Sequence, residues 1–380
     1  MSDEPPKKHS THHPPPPPSL SSLPQEIVLR CLAFVPRSYR LSLSWVSKEL
    51  RSLLRSPELN GLRPDKNSLY VCFQNKHNDP TTVHWFTLRP KEETTTTEYV
   101  LVPNPTPFPP HKYGSSTATV GSKIFFIGGS RKPSSDLWIL DTRTGNMTQG
   151  PSMSVPRKKY DAAVGVIDGK VYVIGGGVSN KRFHEEIQVE VFDPKSGTWE
   201  LAGVENVRKT LRCGASVDRK VYMVESEETS VYNPRGCERE RMVRIVNERL
   251  SSERGRKEAL DDTVCRACVV EDVLFAFFVR SGVMWFNTKF NAWSSLVGPD
   301  GKKLFISRAD AMSEYDDDGR LAVLYMLGEN EVDETFTKSV GCMLVKLDRA
   351  GEKICGTIDW SGVVGAVPYW FSFLHCFTCL

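Results

Sequence analysis

Residues 171–177 read VYVIGGG: four apolar β-formers run straight into three glycines. A strand ending in glycines can open a phosphate-cradling loop, or it can simply end at a turn. The dinucleotide-binding alternative fails on three counts. GGGVSN does not have the G-x-G-x-x-G spacing, and Gly177 leads to EEIQVEVFDP, another strand and not a helix. The unit also recurs elsewhere without its glycines, which a phosphate loop could not survive. The glycines are therefore turn and close-approach residues between strands.

The recurrence itself sets the architecture. Segments resembling KVYVIGG (170–176) are SLYVCF (68–73), KIFFIGG (123–129), KVYMVE (220–225), DVLFAFF (272–278) and RLAVLYM (320–326). Their first apolar residues are Leu69, Ile124, Val171, Val221, Val273 and Leu321, separated by steps of 55, 47, 50, 52 and 48 residues. A period of about 50 is that of one propeller blade. A second signal follows each strand: LDTRTGNM (140–147), FDPKSGTW (192–199), YNPRG (232–236), FNTKFNAW (286–293) and LDRAGEKI (347–354). Asp or Asn opens these turns because its side chain bonds the backbone two residues on, and Gly or Asn closes them where φ must be positive. Trp199 and Trp293 hold equivalent places after the turn.

Four strands per blade are expected, yet the first blade (68–103) supplies three: SLYVCF, VHWFTL and YVLVP. The sixth blade finishes near GTIDW (356–360), leaving AVPYWFSFLHCF (366–377) over. That strand resembles the innermost strands YDAAVGVI (160–167) and CRACVV (265–270), so it is assigned to complete blade one and close the ring. Closure leaves only short edges. The expected fold is mainly β, a six-bladed propeller over residues 65–380.

The head of the chain has a different texture. Residues 1–18 are polar, with five prolines at 14–18, and are expected to be a disordered, partly polyproline-II tail. SLPQEIVLRCLAFV then opens with Ser22 as a helix cap, Pro24 in the first turn and Gln25 three residues after the serine. Ile27, Val28, Cys31, Leu32 and Val35 form one apolar stripe, and Pro36 ends the helix. LSLSWVSKELRSLL (41–54) places Leu43, Val46, Leu50 and Leu53 on one side, and Pro57 stops it. Such a small helical unit gains from burying its stripe against a partner.

LPQEIVLRCLAFVP…VSKELRSLL resembles an F-box, matching at Leu23, Pro24, Glu26, Ile27, Val28, Leu32, Val35, Pro36, Leu41, Val46, Lys48, Arg51, Leu53 and Leu54. Ser47 stands where a cysteine is frequent and Leu50 where a large aromatic is usual. IFFIGG and VYVIGGG, with the later Asp-Pro and Trp positions, resemble kelch repeats; blades four to six lack the double glycine. The chain from residue 19 onward thus resembles the plant F-box/kelch-repeat family, with an F-box at 19–64. The resemblance implies an SCF-type ubiquitin ligase subunit without catalytic residues. Its F-box would bind the adaptor, and through it a cullin, using Leu23, Pro24, Ile27, Val28, Leu32, Val35, Leu41 and Val46. Its propeller would present an unknown target protein from loops at one end of the ring. Other readings stay open: a propeller enzyme or small-molecule sensor with a regulatory F-box, or a kelch scaffold whose helical head is a cap.

Composition agrees with an intracellular protein of the cytoplasm or nucleus. Lys and Arg total 49 against 46 Asp and Glu, so no global field favours nucleic acid or acidic lipid. No apolar run reaches the 18 or so residues of a membrane helix, and the N-terminus lacks the apolar core of a secretory signal. Ten cysteines are too sparse for a disulfide scaffold.

No cofactor or metal is expected. CRAC (265–268) and CFTC (376–379) invite a zinc reading, but residues i and i+3 of a strand point to opposite faces, so structural thiols are favoured. EYDDDGRL (314–321) lacks the register of a calcium loop. The mixed charges of 235–258 read as a solvated loop or edge strand. His9, His12 and His13 fall in the tail, and His77, His84, His111, His184 and His375 are scattered singly.

Overall fold

A computed structural model describes residues 23–33, 35, 43, 46–54, 56–62, 68–75, 83–91, 98–103, 115–129, 132–142, 145–157, 162–177, 185–207, 213–237, 240–250, 256–315, 319–327, 336–350 and 353–379. The tail 1–18, Ser22, Leu41 and residues 316–318 of EYDDDGRL lie outside them. The chain divides into two compact units, Met1–Pro64 and Asp65–Leu380.

In the first unit, helix α1 spans Gln25–Ala33, α2 Lys48–Leu54 and α3 Pro57–Leu62. Ser47 and Ser56 are caps: their hydroxyl oxygens accept the N–H groups of Leu50 (3.0 Å) and Leu59 (3.2 Å). Pro57 therefore does more than stop a helix, because it opens α3 at a position where no N–H is needed. Val28, Leu29 and Leu32 close on the fully buried Leu59, with Leu43, Leu50, Leu53 and Leu54 at the margin. This divides the expected stripe. Ile27 and Cys31 are turned out to solvent, as is Val46, and Leu29 takes the inward place instead.

The second unit is the six-bladed propeller. Blade one orders its strands Phe371–Cys379, Ser68–Asn75, Val83–Pro90, Tyr99–Pro103 from the axis outward. Blade two runs Ser116–Val120, Lys123–Ile127, Leu137–Asp141, Met147–Gln149, and blade three Ala163–Ile167, Lys170–Ile174, Glu185–Asp193, Thr198–Val207. Blade four follows with Cys213–Val217, Lys220–Val224, Glu228–Tyr232, Met242–Val246. Blade five has Val264–Val270, Val273–Phe278, Gly282–Asn287, Ala292–Ser295, and blade six Ala311–Tyr315, Arg320–Met326, Thr337–Ala350, Lys353–Pro368. Turns between first and second strands, and between third and fourth, lie at one end of the ring. Turns between second and third strands share the other end with the blade-to-blade connections.

Two details correct the sequence reading. The closing strand begins at Phe371, because Ala366–Pro368 still pair with Thr337–Ser339 in the long outer hairpin of blade six. Blade five also holds six strands, because Glu248–Leu250 and Lys257–Ala259 extend its outer edge. These lie within the mixed-charge stretch, where Arg249 pairs with Glu258 (2.9 Å) and Lys257 with Glu248 (3.1 Å). Both pairs are exposed and add little stability.

One apolar cluster fills each seam between neighbouring blades. At the closing seam, Leu69, Val71 and Phe73 of blade one pack on Ala322, Leu324 and Val340 of blade six. Thr378 also donates its hydroxyl to the Glu314 carbonyl, tying the last strand to the innermost strand of blade six.

The repeated turns obey the expected chemistry. Asp193, Asn233 and Asn287 accept the N–H two residues on, at 2.8, 3.1 and 3.1 Å. Gly145, Gly197 and Asn291 close their turns with φ of 70°, 71° and 47°. The tryptophans are equivalent in role as well as place. Trp199 donates to the Pro151 carbonyl (2.8 Å) and Trp293 to Asn247 Oδ1 (3.1 Å), each reaching the connection that precedes its own blade. Gly176 answers the opening question: at φ 72°, an added Cβ would lie 2.7 Å from the Ala162 nitrogen. The backbone leaving the second strand of blade three touches the backbone entering its innermost strand there, with no room for a phosphate.

Candidate functional site

Two regions are candidates for a site: the outer face of α1 and the ends of the ring. α1 begins where the Pro24 carbonyl accepts the N–H groups of Ile27 (2.9 Å) and Val28 (3.1 Å). Leu23, Pro24 and Ile27 are exposed, Ile27 and Cys31 one turn apart on one face. A helix this short with an apolar inner face and an apolar outer edge has more apolar surface than its own unit covers. Of the anticipated adaptor contacts, Leu23, Pro24, Ile27 and Val46 are at the surface. Val28 and Leu32 are not available there, because Leu59 draws them into the core; Val35 is partly buried.

The ring holds its ends in shape with buried polar groups that the sequence reading missed. Arg157, in the connection from blade two to blade three, is buried against the equally buried Glu190. It also donates to the carbonyls of Gly175 (2.6 Å) and Gln188 (3.1 Å), while Glu190 accepts the Ser154 N–H (2.7 Å). Burial pulls the guanidinium pKa down from its ordinary value, against the hydrogen bond and charge of Glu190. The blades without double glycines use other side chains at the same turn. Asn247 donates to the Glu225 carbonyl (2.7 Å) in blade four. In blade five Asp262 accepts the N–H groups of Arg280 and Ser281, and in blade six Asp310 accepts that of Met326 (2.7 Å). Burial alone would raise the Asp262 pKa; these donors, with the Thr263 N–H and the Ser281 hydroxyl, hold it low instead.

Cys72, Cys213, Cys268, Cys342 and Cys376, with His84 and His375, pack within the ring, whereas Cys31 and Cys237 are exposed. Burial raises the thiols of Cys213, Cys268, Cys342 and, to about 12, Cys376. Cys268 and Cys376, one from each C-x-x-C, lie near one another within the ring. No group of three or more metal-ligating side chains among the described residues could hold an ion. Nor is any described helix long and apolar enough to cross a membrane. His375 lies between the rings of Phe126 (5.9 Å) and Phe377 (6.3 Å).

His84 stacks on Phe371 at 4.5 Å, and burial lowers its pKa from 6.5. The folded chain therefore keeps this ring neutral where the unfolded chain binds a proton. Its contribution is present above 6.5 and lost as pH falls from there toward the folded value. Between about pH 7.5 and 5.5 the melting temperature of the natural chain is expected to fall more than that of His84→Tyr. Equal slopes in a thermal melt against pH would count against it.

The chain carries a small helical unit and a repeat-built propeller, and known families match both parts. An F-box domain matches residues 20–61, and the FKB95 kelch-repeats domain matches residues 85–365. The chain is 39% identical over 387 residues to the putative F-box/kelch-repeat protein At2g41360 of Arabidopsis thaliana, covering 94% of this chain and 96% of that one. F-box/kelch-repeat protein At2g44630 of the same plant is 38% identical over 373 residues, covering 94% and 93%. F-box/kelch-repeat protein At2g22050, also from Arabidopsis thaliana, is 52% identical over 231 residues, covering 57% and 86%. The chain belongs to the F-box/kelch-repeat family.

Proposed function

We propose that this chain is the substrate-recognition subunit of an SCF, or cullin-RING, ubiquitin ligase, and that it has no catalytic residues of its own. The observation that carries this reading is the exposed apolar edge Leu23–Pro24–Ile27, with Val46, on a domain matched as an F-box and separate from the propeller. Burial of that edge against the adaptor would bring the chain to the cullin. The propeller would hold a target protein near a ubiquitin-charged enzyme carried elsewhere in the complex. Rate then comes from raised effective concentration of target lysines, not from chemistry on this chain. The receptor works inside the cell, in the cytoplasm, the nucleus or both. Mixing the full chain with purified adaptor, cullin and RING subunits should give one co-eluting complex on size exclusion. Elution of the chain by itself would overturn the reading.

A further inference from the structure

The six innermost strands surround the axis of the ring. Their sequences hold only two charged side chains, Arg266 of blade five and Glu314 of blade six. Glu314 stands toward the end that carries the turns between first and second strands, where its Oε1 accepts the Glu271 N–H (3.3 Å). Arg266 stands toward the end that carries the blade connections. It lies level with Asp310, roughly 13 Å of strand from Glu314.

The placement of Arg266 is built. Val264 pairs with Phe278 and Arg266 with Phe277, so Cys265 between them is an extra residue in the ladder. A bulge of this kind re-aims the side chain beside it and is frequent next to functional sites. Nε of Arg266 donates to the Asp310 carbonyl (2.6 Å) of blade six, and Nη1 donates to the Cys265 carbonyl (2.8 Å). Both acceptors are neutral, so they fix the guanidinium without balancing its charge.

Arg266 is exposed, and among the described residues it makes no ion pair and its Nη2 makes no hydrogen bond. Other anchored arginines of the ring do have a carboxylate: Arg157 has Glu190, Arg308 has Asp310 and Arg320 has Asp359. The charge of Arg266 also reaches beyond its own blade. Cys213 of blade four touches the same Cys265 carbonyl (3.8 Å). Burial raises the thiols of Cys213 and of Cys376 on blade one, and the Arg266 guanidinium pulls each part of the way back. Innermost strands of several blades thus border one uncompensated cation.

The neighbouring carboxylates are engaged elsewhere. Asp262 is buried on backbone N–H donors, and Asp310 accepts from Met326 and pairs with Arg308. Nor does the sequence of the undescribed stretches leading into the innermost strands of blades two, three and four supply the missing charge. Residues 104–114, 158–161 and 208–212 hold Lys112, Lys158, Lys159, Arg208, Lys209 and Arg212 against Asp161 alone. The four carboxylates of 328–335 belong to the link between the second and third strands of blade six, not to its innermost strand.

We propose that Arg266 marks a binding site at the axis of the ring for a small organic anion, a carboxylate or phosphate compound. A guanidinium fork suits two oxygens of one such group, and Nη2 is open to it. Because the fork is anchored in advance, little side-chain freedom is lost on binding. The site is independent of the receptor reading, and its occupant stabilises the folded ring by mass action.

The test is calorimetric titration of the full chain with citrate, glycerol 3-phosphate and inorganic phosphate, with chloride holding the ionic strength constant. At least one should bind saturably, one per chain, and about tenfold more weakly to Arg266→Gln. Which one binds separates carboxylate from phosphate. Arg266→Lys keeps the charge without the fork and should fall between the two; it carries the comparison if Arg266→Gln melts below the natural chain. Lys302→Gln, an exposed cation of the nearby connection, should bind like the natural chain. The proposal is overturned if none of the three anions binds saturably, or if both Arg266 variants bind as the natural chain does. Equal loss in Lys302→Gln would also overturn it, as the mark of diffuse charge attraction.

Discussion

Removal of residues 371–380 is expected to abolish cooperative folding of the propeller. The lost strand pairs with Ser68–Asn75 through eight aligned residues and is the only inner strand blade one has. Phe73 would lose the rings of Phe371 (6.3 Å) and Phe373 (4.7 Å), and Trp85 would lose Phe377 (5.7 Å). The exposed edge of Ser68–Asn75, with Leu69, Tyr70, Val71 and Phe73 in its run, would invite pairing with other chains. A milder variant keeps the claim measurable: Phe371→Ala should cost about 3–5 kcal/mol, as for other buried phenylalanines. Denaturant unfolding of both proteins tests this, and a truncated chain that unfolds at the natural midpoint would contradict it.

Glu190→Ala should have the second large effect. Arg157 and Glu190 are each only 1% exposed, so the substitution strands a buried guanidinium. Breaking such a pair from one side costs about 3–5 kcal/mol, whereas replacing both partners with apolar residues costs less. The Ser154 N–H would lose its acceptor too. In chemical denaturation, Arg157→Met/Glu190→Leu should be more stable than Glu190→Ala. It should still fall below the natural chain, because the Gly175 and Gln188 carbonyls each lose the Arg157 donor, though Gln188 keeps the Gly175 N–H. If Glu190→Ala unfolds like the natural chain, the pair does not hold the seam between blades two and three.

The ring was legible in the sequence because its signals are local and repeat. Asp193, Asn233 and Asn287 act on residues two positions away, so their chemistry shows in any short window. Closure was legible by subtraction, since blade one lacked a strand and the chain end had one spare. What stayed hidden acts over distance. Asp262 meets Arg280 and Ser281, Asp310 meets Met326, and Arg157 meets Glu190, each across a blade whose folding alone brings them together. The extra strands of blade five were masked by charges that read equally as loop.

The same limit explains the helical head. Ile27, Val28, Leu29, Cys31 and Leu32 are apolar on both sides of α1, so periodicity finds the helix without choosing its inner face. Leu59 makes that choice from a separate helix, drawing in Val28 and Leu32 and leaving Ile27 out. Leu23, Pro24, Ile27 and Val46 are the described surface members of the inferred adaptor contact; Val35 is partly buried, and Leu41 lies outside the described residues.

The most direct test of the receptor reading is a titration of the full chain against purified adaptor. It compares the natural sequence with Leu23→Ala/Pro24→Ala and with Ile27→Glu. Tight binding by the natural chain is predicted, reduced at least about tenfold in both variants while their thermal melts stay unchanged. A natural chain that does not bind, or variants that bind as well as it does, would contradict the account.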